Sequence, residues 1–408
     1  MIETRPPAVA TTTDRPLPPG WRWARLGKVC ERIDYGYTAS ADFSIREPRF
    51  LRITDIKGGG VDWDAVPGCR IDAAEEAKNS LADGDIVIAR TGSVGNSLLI
   101  ERPPRVVFAS YLIRLRFNTS VCPEYVYAFF HSQDYWSQIA AAARGGIQSN
   151  VNATLLANLQ LPLPPLPEQR RIAAILREQL AAVDRARAAA QAQLDAAKAL
   201  PAAYLRAVFE SDEARAWPMV KLGELLRLRK EVVHPRDKPY GPAVFVGLEH
   251  IESHTGRRIG SLDVEMSELT GRKPRFHEGD IVYGYLRPYL NKVWVAEFDG
   301  LCSVDQYVYP VSEQTANGDF VAWFMRSPTY LDRAPIDITP GQLPRIRTEE
   351  VATVETNLPD LESQNRIVAH LEDSLGQSHA VRTSIENQLD AINQLPAALL
   401  RRAFNGDL

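Results

Sequence analysis

The residues of this chain with the most evident chemistry lie in two short loops. The first, "ARTGSVGNS" (Ala89 to Ser97), sets Arg90, Thr91, Ser93 and Asn96 on a glycine-rich turn. It superficially matches a phosphate-cradling loop, but such a loop needs a lysine after its last glycine, and Asn96 stands there. Nucleotide binding is therefore not expected. A plain hairpin turn and a loop facing a DNA duplex both remain open. The second loop, "YGYLRPYLNK" from Tyr283, offers Tyr285, Arg287, Tyr289 and Lys292. Interleaved aromatic rings and cations suit a surface that faces a groove or contacts phosphates. Alternate residues of a strand point to opposite faces, so about half of such a set would be support.

Two further segments carry side chains suited to base edges. "GGIQSNVN" (Gly145 to Asn152) holds Gln148 and Asn150, and "PGQLPRIR" (Pro340 to Arg347) holds Gln342, Arg345 and Arg347. Gln and Asn can pair bidentately with adenine and Arg with guanine, which makes these five candidate base readers. Turn capping is the competing role, above all for Asn150 and Asn152. His250 and His254 are four apart, a spacing that would suit a metal on a helix. No glutamate follows His250 as in HExxH and no third ligand is evident, so no metal is expected. No Asn-Pro-Pro-Tyr-like methylase motif, helicase motif or Walker signature occurs, and no catalytic residue is assigned. Cys30, Cys69, Cys122 and Cys302 are scattered, which fits reduced structural thiols better than a disulfide framework or a zinc site.

The elements that must position these loops are written twice. "LPLPPLPEQRRIAAIL" (Leu161 to Leu176) returns as "TNLPDLESQNRIVAHL" (Thr356 to Leu371), aligning Gln169 with Gln364 at an offset of 195. The same offset carries "LPAAYLRAVF" (from Leu200) onto "LPAALLRRAF" (from Leu395), and "GDIVIARTGSVGN" (from Gly84) onto "GDIVYGYLRPYLNK" (from Gly279). The chain is a tandem duplication. The first part of each unit alternates short β-branched runs with Gly, Pro and Asp turns, and then shows helical spacing over Pro123 to Ala143 and again from Gly318. Each is thus an α+β domain of ordinary size.

The second part of each unit is helical. Leu176, Val183, Ala190, Ala197 and Tyr204 recur every seven residues, with Ile172, Gln179, Ala186, Gln193 and Leu200 as the accompanying row. In the second copy Leu371, Ser378, Ile385, Ile392 and Leu399 run beside Ile367, Ser374, Val381, Gln388 and Leu395. The two helices are expected to pair within one chain, with Ile172, Leu176, Val183, Ile367, Leu371, Ile385 and Ile392 as packing residues. Pro201 and Pro396, at equivalent positions, predict a kink or break in each helix. Domain bounds follow at 1–165, 166–213, 214–357 and 358–408.

At 408 residues the chain exceeds what one core usually serves. Its net charge is −4, and residues 1–165 carry 18 basic against 17 acidic side chains, so bulk charge gives no support to a nucleic-acid partner. Local clusters such as "RLRK" (Arg227 to Lys230) and "RKPR" (Arg272 to Arg275) could still contact phosphates, with solvated surface charge as the plain alternative. No signal-peptide core or membrane-length apolar run occurs, so a cytoplasmic location without membrane association is expected. Two similar domains on a paired-helix spacer suit a partner with two related sites at fixed separation, as double-stranded DNA offers.

These features together resemble the specificity subunits of type I restriction-modification systems, over essentially the whole chain. The resemblance rests on the openings "WARLG" (from Trp23) and "WPMVKLG" (from Trp217), the GDI strands at Gly84 and Gly279, and the "PLPPLPEQRRIAAIL" passage into a helix, in one order twice over. The first opening has two residues between Trp23 and Leu26 instead of four, and the second helix junction has the proline-poorer "LPDLESQ". That second junction is expected to be the looser one. The resemblance implies two target-recognition domains, each reading half of a bipartite DNA target. It further implies that the central and distal helices form an antiparallel coiled coil with pseudo-two-fold symmetry and bind two methyltransferase (modification) subunits. It implies a non-catalytic chain without cofactor: partner subunits would supply S-adenosylmethionine-dependent methylation, and restriction (translocase and nuclease) subunits the ATP- and Mg-dependent cleavage. It also favours the DNA-facing role for Arg90, Thr91, Ser93 and Asn96. The rival readings are a duplicated protein-interaction scaffold without DNA recognition and an enzyme with a cryptic site.

Overall fold

The computed structural model describes residues 15–144, 151–312 and 314–408. The chain divides into two compact units, Met1–Ala189 with Leu389–Leu408 and Ala190–Gln388. Both contain an α+β domain and parts of two long helices, a central one over Leu166–Phe209 and a distal one over Leu361–Asn405.

In the first unit an antiparallel sheet runs in the order Cys30–Tyr35, Leu112–Phe117, Ile86–Ala89, Ser97–Leu99. Ile86, Ile88, Ile113 and Leu115 lie in one buried cluster with Tyr125, Val126 and Phe129 of the helix Pro123–Phe129. A parallel pair, Arg49–Leu51 with Val106–Phe108, extends the β layer. In the second unit Ile281–Gly284 lies between Val293–Val295 and Gln306–Tyr309, all antiparallel, and a five-stranded sheet includes the parallel pair Pro242–Val246 with Gly300–Cys302.

The duplication extends to individual hydrogen bonds. Asp85 accepts two bonds from the Arg116 guanidinium and one from the Ala82 N–H; Asp280 accepts the same kinds of bond from Arg229 and His277. His277 stands 195 positions from Ala82, whereas Arg229 comes from a different position than the equivalent of Arg116. A Cβ on Gly27 would meet the Ala157 Cβ at 2.8 Å, and one on Gly223 would meet that of Ala352 at 2.8 Å, so both close helix contacts require glycine. Each domain also ends where it begins. Arg22–Arg25 pairs antiparallel with Gln160–Leu163, and Met219–Lys221 with Glu355–Asn357. Pro162 is tolerated because its two-stranded ribbon leaves one edge without a partner strand.

Where domain meets helix, a buried glutamine makes the joint. The Gln169 amide donates to the Pro164 carbonyl at 2.8 Å and accepts the Cys122 N–H at 2.9 Å. Gln364 donates to Pro359 at 2.8 Å and accepts the Asn317 N–H at 2.7 Å. The second junction therefore keeps both bonds despite its fewer prolines, against the expectation of a looser joint. The glutamine, common to both copies, supplies the attachment.

The long helices pair antiparallel. In the first unit Ile172, Ala173 and Leu176 share a core with Leu400, Ala403 and Phe404, and Arg187 donates to Asn393 at 2.8 Å. In the second, Leu205 and Phe209 share one with Val368 and Leu371. Phe404 packs edge-on against Tyr125 and Phe129, as Phe209 does against Phe320 and Phe324, so the end of a helix anchors each α+β domain.

Several expectations need correction. The helical run Pro123 to Ala143 is two helices, Pro123–Phe129 and Gln133–Arg144, because Ser132 donates to the Phe129 carbonyl and accepts the Tyr135 N–H, capping the second. Neither Pro201 nor Pro396 breaks its helix; burial of Ala197 and Leu205 on either side of Pro201 holds the chain helical across the lost bond. The second row of each helix is displaced by one residue. Val381 and Leu395 are exposed, whereas the row Ala173, Leu180, Arg187, Leu194 and its echo Val368, Leu375, Arg382, Leu389 is buried or half-buried. Ile172, Leu176, Val183, Leu371 and Ile392 are buried, and Ile367 and Ile385 half-buried. His250 ends a single helical turn and His254 lies beyond it with φ 64°, so the two do not share a helix face.

Candidate nucleic-acid interface

In the first unit, register places the ends of Cys30–Tyr35 and Ile86–Ala89 beside the starts of Leu112–Phe117 and Ser97–Leu99, because Tyr35 faces Ile113, Ala89 faces Leu112 and Ile88 faces Ser97. Arg90 emerges at this sheet end. Its guanidinium lies 5.0 Å from the Tyr35 ring centroid, and its backbone N–H donates to the Tyr111 carbonyl at 2.9 Å. Tyr35 and Tyr111 are exposed, and Arg90 Nε is buried without a hydrogen-bond partner. Thr91 is half-buried, and Ser93 and Asn96 are exposed. The turn is held from below by the Tyr135 hydroxyl, which donates to the Gly95 carbonyl at 2.7 Å. Gly95 has φ 85°, which favours glycine there. Gln148 and Asn150 lie outside the described residues.

The equivalent sheet end in the second unit carries Tyr285, stacked on Tyr307 with centroids 4.3 Å apart and planes at 18°. Burial, with Asp305 nearby, raises the Tyr285 phenol above its ordinary pKa, so it remains a neutral donor. Arg287 takes φ 50°, its N–H bonds to the Pro344 carbonyl at 2.7 Å, and its side chain is exposed, as is that of Tyr289. Arg345 pairs with Asp337 through both backbone groups and donates to Gln342 at 3.0 Å; its Nε is buried without a partner. The structure thus brings Tyr285, Arg287, Gln342 and Arg345 into one loop cluster. Lys292 instead donates to the Leu248 carbonyl at 2.6 Å, and Arg347 lies between Glu350 and Asp337 at 3.4 and 3.6 Å.

Charge compensation separates these cations. Among the described residues Arg90, Arg287 and Arg345 have no carboxylate within salt-bridge distance, whereas Arg347 has two. Uncompensated guanidinium groups beside exposed tyrosine rings can donate to anionic oxygens and to base edges. Tyr35, Tyr111 and Tyr307 were not among the sequence candidates. Their position at strand ends, as in "ERIDYGY", is the signal that could have found them. The thiols offer no comparable chemistry: burial pushes Cys30 and Cys302 up to about 12 and Cys122 to about 11. Among the described residues no cluster of three His, Cys, Asp or Glu side chains could hold a metal, and no helix is long and apolar enough to cross a membrane.

Residues 21–188 match the family model described as the type I restriction modification DNA specificity domain. Over 192 residues the chain is 28% identical to the EcoDI specificity subunit of Escherichia coli, an alignment covering 47% of this chain and 42% of that protein. Over 420 residues it is 22% identical to the EcoKI specificity subunit of Escherichia coli strain K12, covering 96% of this chain and 90% of that one. Residues 21–188, less than half of the chain, are thus similar to a type I restriction modification DNA specificity domain, and nearly the whole chain is similar to a type I specificity subunit. Solved structures carry the same fold as this chain. One, from work on complex assembly and conformational transition of the type I R-M system, superposes with a TM-score of 0.72 at 22% identity over 97% of this chain and 100% of that one. The HsdS subunit from Thermoanaerobacter tengcongensis does so with a TM-score of 0.62 at 21% identity over 98% and 100%.

Proposed function

We propose that this chain is the specificity subunit of a type I restriction-modification system, that it reads a bipartite double-stranded DNA target, one half with each recognition domain, and that it docks two methyltransferase subunits on its paired helices. The observation that carries this reading is a common frame with different contents. The backbone bond from Val151 to Arg90 recurs at 3.2 Å from Ile346 to Tyr285, while the exposed side chains around it differ. A shared frame with unlike polar groups is what two related but distinct half-sites require. The chain holds no catalytic group in this reading. S-adenosylmethionine, ATP and Mg belong to the partner methyltransferase and restriction subunits, and the complex works in the cytoplasm.

Exchanging residues 1–165 for another recognition domain tests this in the assembled methyltransferase. One half of the methylated sequence should change and the other should stay. A change in both halves would overturn the assignment of one half-site to each domain.

A further inference from the structure

Within the second unit, Pro201 of the central helix and Gly376 of the distal helix line one cavity of about 250 Å³. Both are poor helix formers, proline through its missing donor and its clash with the preceding turn, glycine through its backbone entropy. Each nevertheless stands inside a helix of 44 or 45 residues. Gly376 leaves space, since a Cβ placed there meets nothing within 4 Å. Pro201 deprives the carbonyl of Ala197, itself a lining residue, of its helical donor.

Leu205, Leu375 and Trp323 make the wall largely apolar, and its polar groups are mainly donors. Trp323 Nε1 and Arg382 Nε are buried without hydrogen-bond partners. Arg257 has no carboxylate partner among the described residues and lies 2.7 Å from His379 Nε2. The cationic lining residues are Lys198, Arg257 and Arg382, against the single lining carboxylate of Glu372; Arg382 also has Glu252 at 3.6 Å and Glu386 at 3.8 Å. Behind the wall the buried Arg326 guanidinium stacks on the Trp323 ring at 4.3 Å, adding positive charge. The Arg257 guanidinium, exposed and without a carboxylate among the described residues, is the lining cation free to take an anion.

We propose that this cavity binds a small organic anion with a flat apolar body, its acid group on Arg257 and Arg382 and its body against Pro201, Leu205, Trp323 and Leu375. The volume lies just under the roughly 300–1,000 Å³ of drug-sized sites, which sets the occupant at the size of a bicyclic fragment. Such a ligand would touch both helices and the second recognition domain at once, away from the loops proposed to read DNA.

Calorimetric titration of the full chain with 2-naphthoate, with 2-naphthylmethanol as the neutral analogue, tests the proposal. Saturable binding of the acid, about tenfold or more tighter than the alcohol, is expected. Gly376→Leu, which fills the cavity and favours helix, should abolish binding while the circular dichroism spectrum is retained. Arg257→Gln removes the cation and should weaken binding about tenfold or more. No saturable binding to the wild type, equal binding of the alcohol, or undiminished binding to folded Gly376→Leu would each overturn the site. Should Gly376→Leu fail to fold, unchanged affinity in Arg257→Gln would do the same.

Discussion

Gln169 accepts the backbone N–H of Cys122 at 2.9 Å from a fully buried position at the start of the central helix. The bond ties the first turn of a long helix to the first turn of a helix in the recognition domain. Gln169→Leu keeps the approximate volume but leaves the Cys122 N–H and the Pro164 carbonyl unpaired. An unsatisfied buried group costs about 1–3 kcal/mol, so the first unit should lose about 2–4 kcal/mol, measured by urea denaturation. Gln364→Leu should act alike on the second unit, and a loss below about 0.5 kcal/mol in either would show that the joint lies elsewhere.

Arg90→Ala should weaken binding of the assembled methyltransferase to its target about 10- to 100-fold, with the loss concentrated on one half-site. Tyr35→Ala, which removes the ring beside the guanidinium, should act in the same direction but less. Competition assays with duplexes altered in one half at a time provide the measurement. Uniform loss across all sequences would make Arg90 a phosphate contact instead of a base reader.

Leu176→Asp places a charge among Ile172, Leu400 and Phe404 in the core that joins the helices to the first domain. An unpaired buried charge is among the few changes that cost more than about 4 kcal/mol. Loss of soluble full-length protein, or of co-purifying methyltransferase chains, is expected. Phe404→Ala should cost about 3–5 kcal/mol through the cavity left against Tyr125 and Phe129. A fully assembled complex with wild-type thermal stability would contradict the pairing.

His277 lies between Asp299, 3.0 Å from its Nδ1, and Glu231, 3.1 Å from its Nε2. The two carboxylates, Asp299 foremost, raise its pKa above the ordinary histidine value. A folded-state pKa above the unfolded one means that the imidazolium stabilises the fold fully below about pH 6.5, and that this contribution is lost as pH rises through the folded value. The stability difference between wild type and His277→Gln should therefore shrink from about pH 5 to about pH 9. A difference independent of pH would remove the charged ring from the account.

The sequence made the duplication and the helical segments legible because both leave periodic traces: a repeat at 195 positions and apolar residues every seventh place. It was less clear at the helix seam, where the true second row includes Arg187 and Arg382, whose stems are half-buried while their charged ends find polar partners. An apolar-pattern search passes over such positions. The loop residues were legible as types but not as roles. Nothing local in Lys292 shows that it will reach the Leu248 carbonyl, or in Arg347 that Asp337 will join the neighbouring Glu350 beside it. Leu248 and Asp337 arrive from 44 and 10 positions away through tertiary folding.

The pairing of Arg22–Arg25 with Gln160–Leu163 has an evolutionary consequence. Crossover points flanking a recognition domain are far apart in a gene, yet here they encode adjacent strands, whose opposed Cα atoms lie about 5 Å apart. A recombining cassette cut at those points would bring its own closure and leave the remaining backbone only a short gap to span. New specificities could then arise by genetic shuffling, without stepwise mutation through intermediates that recognise nothing.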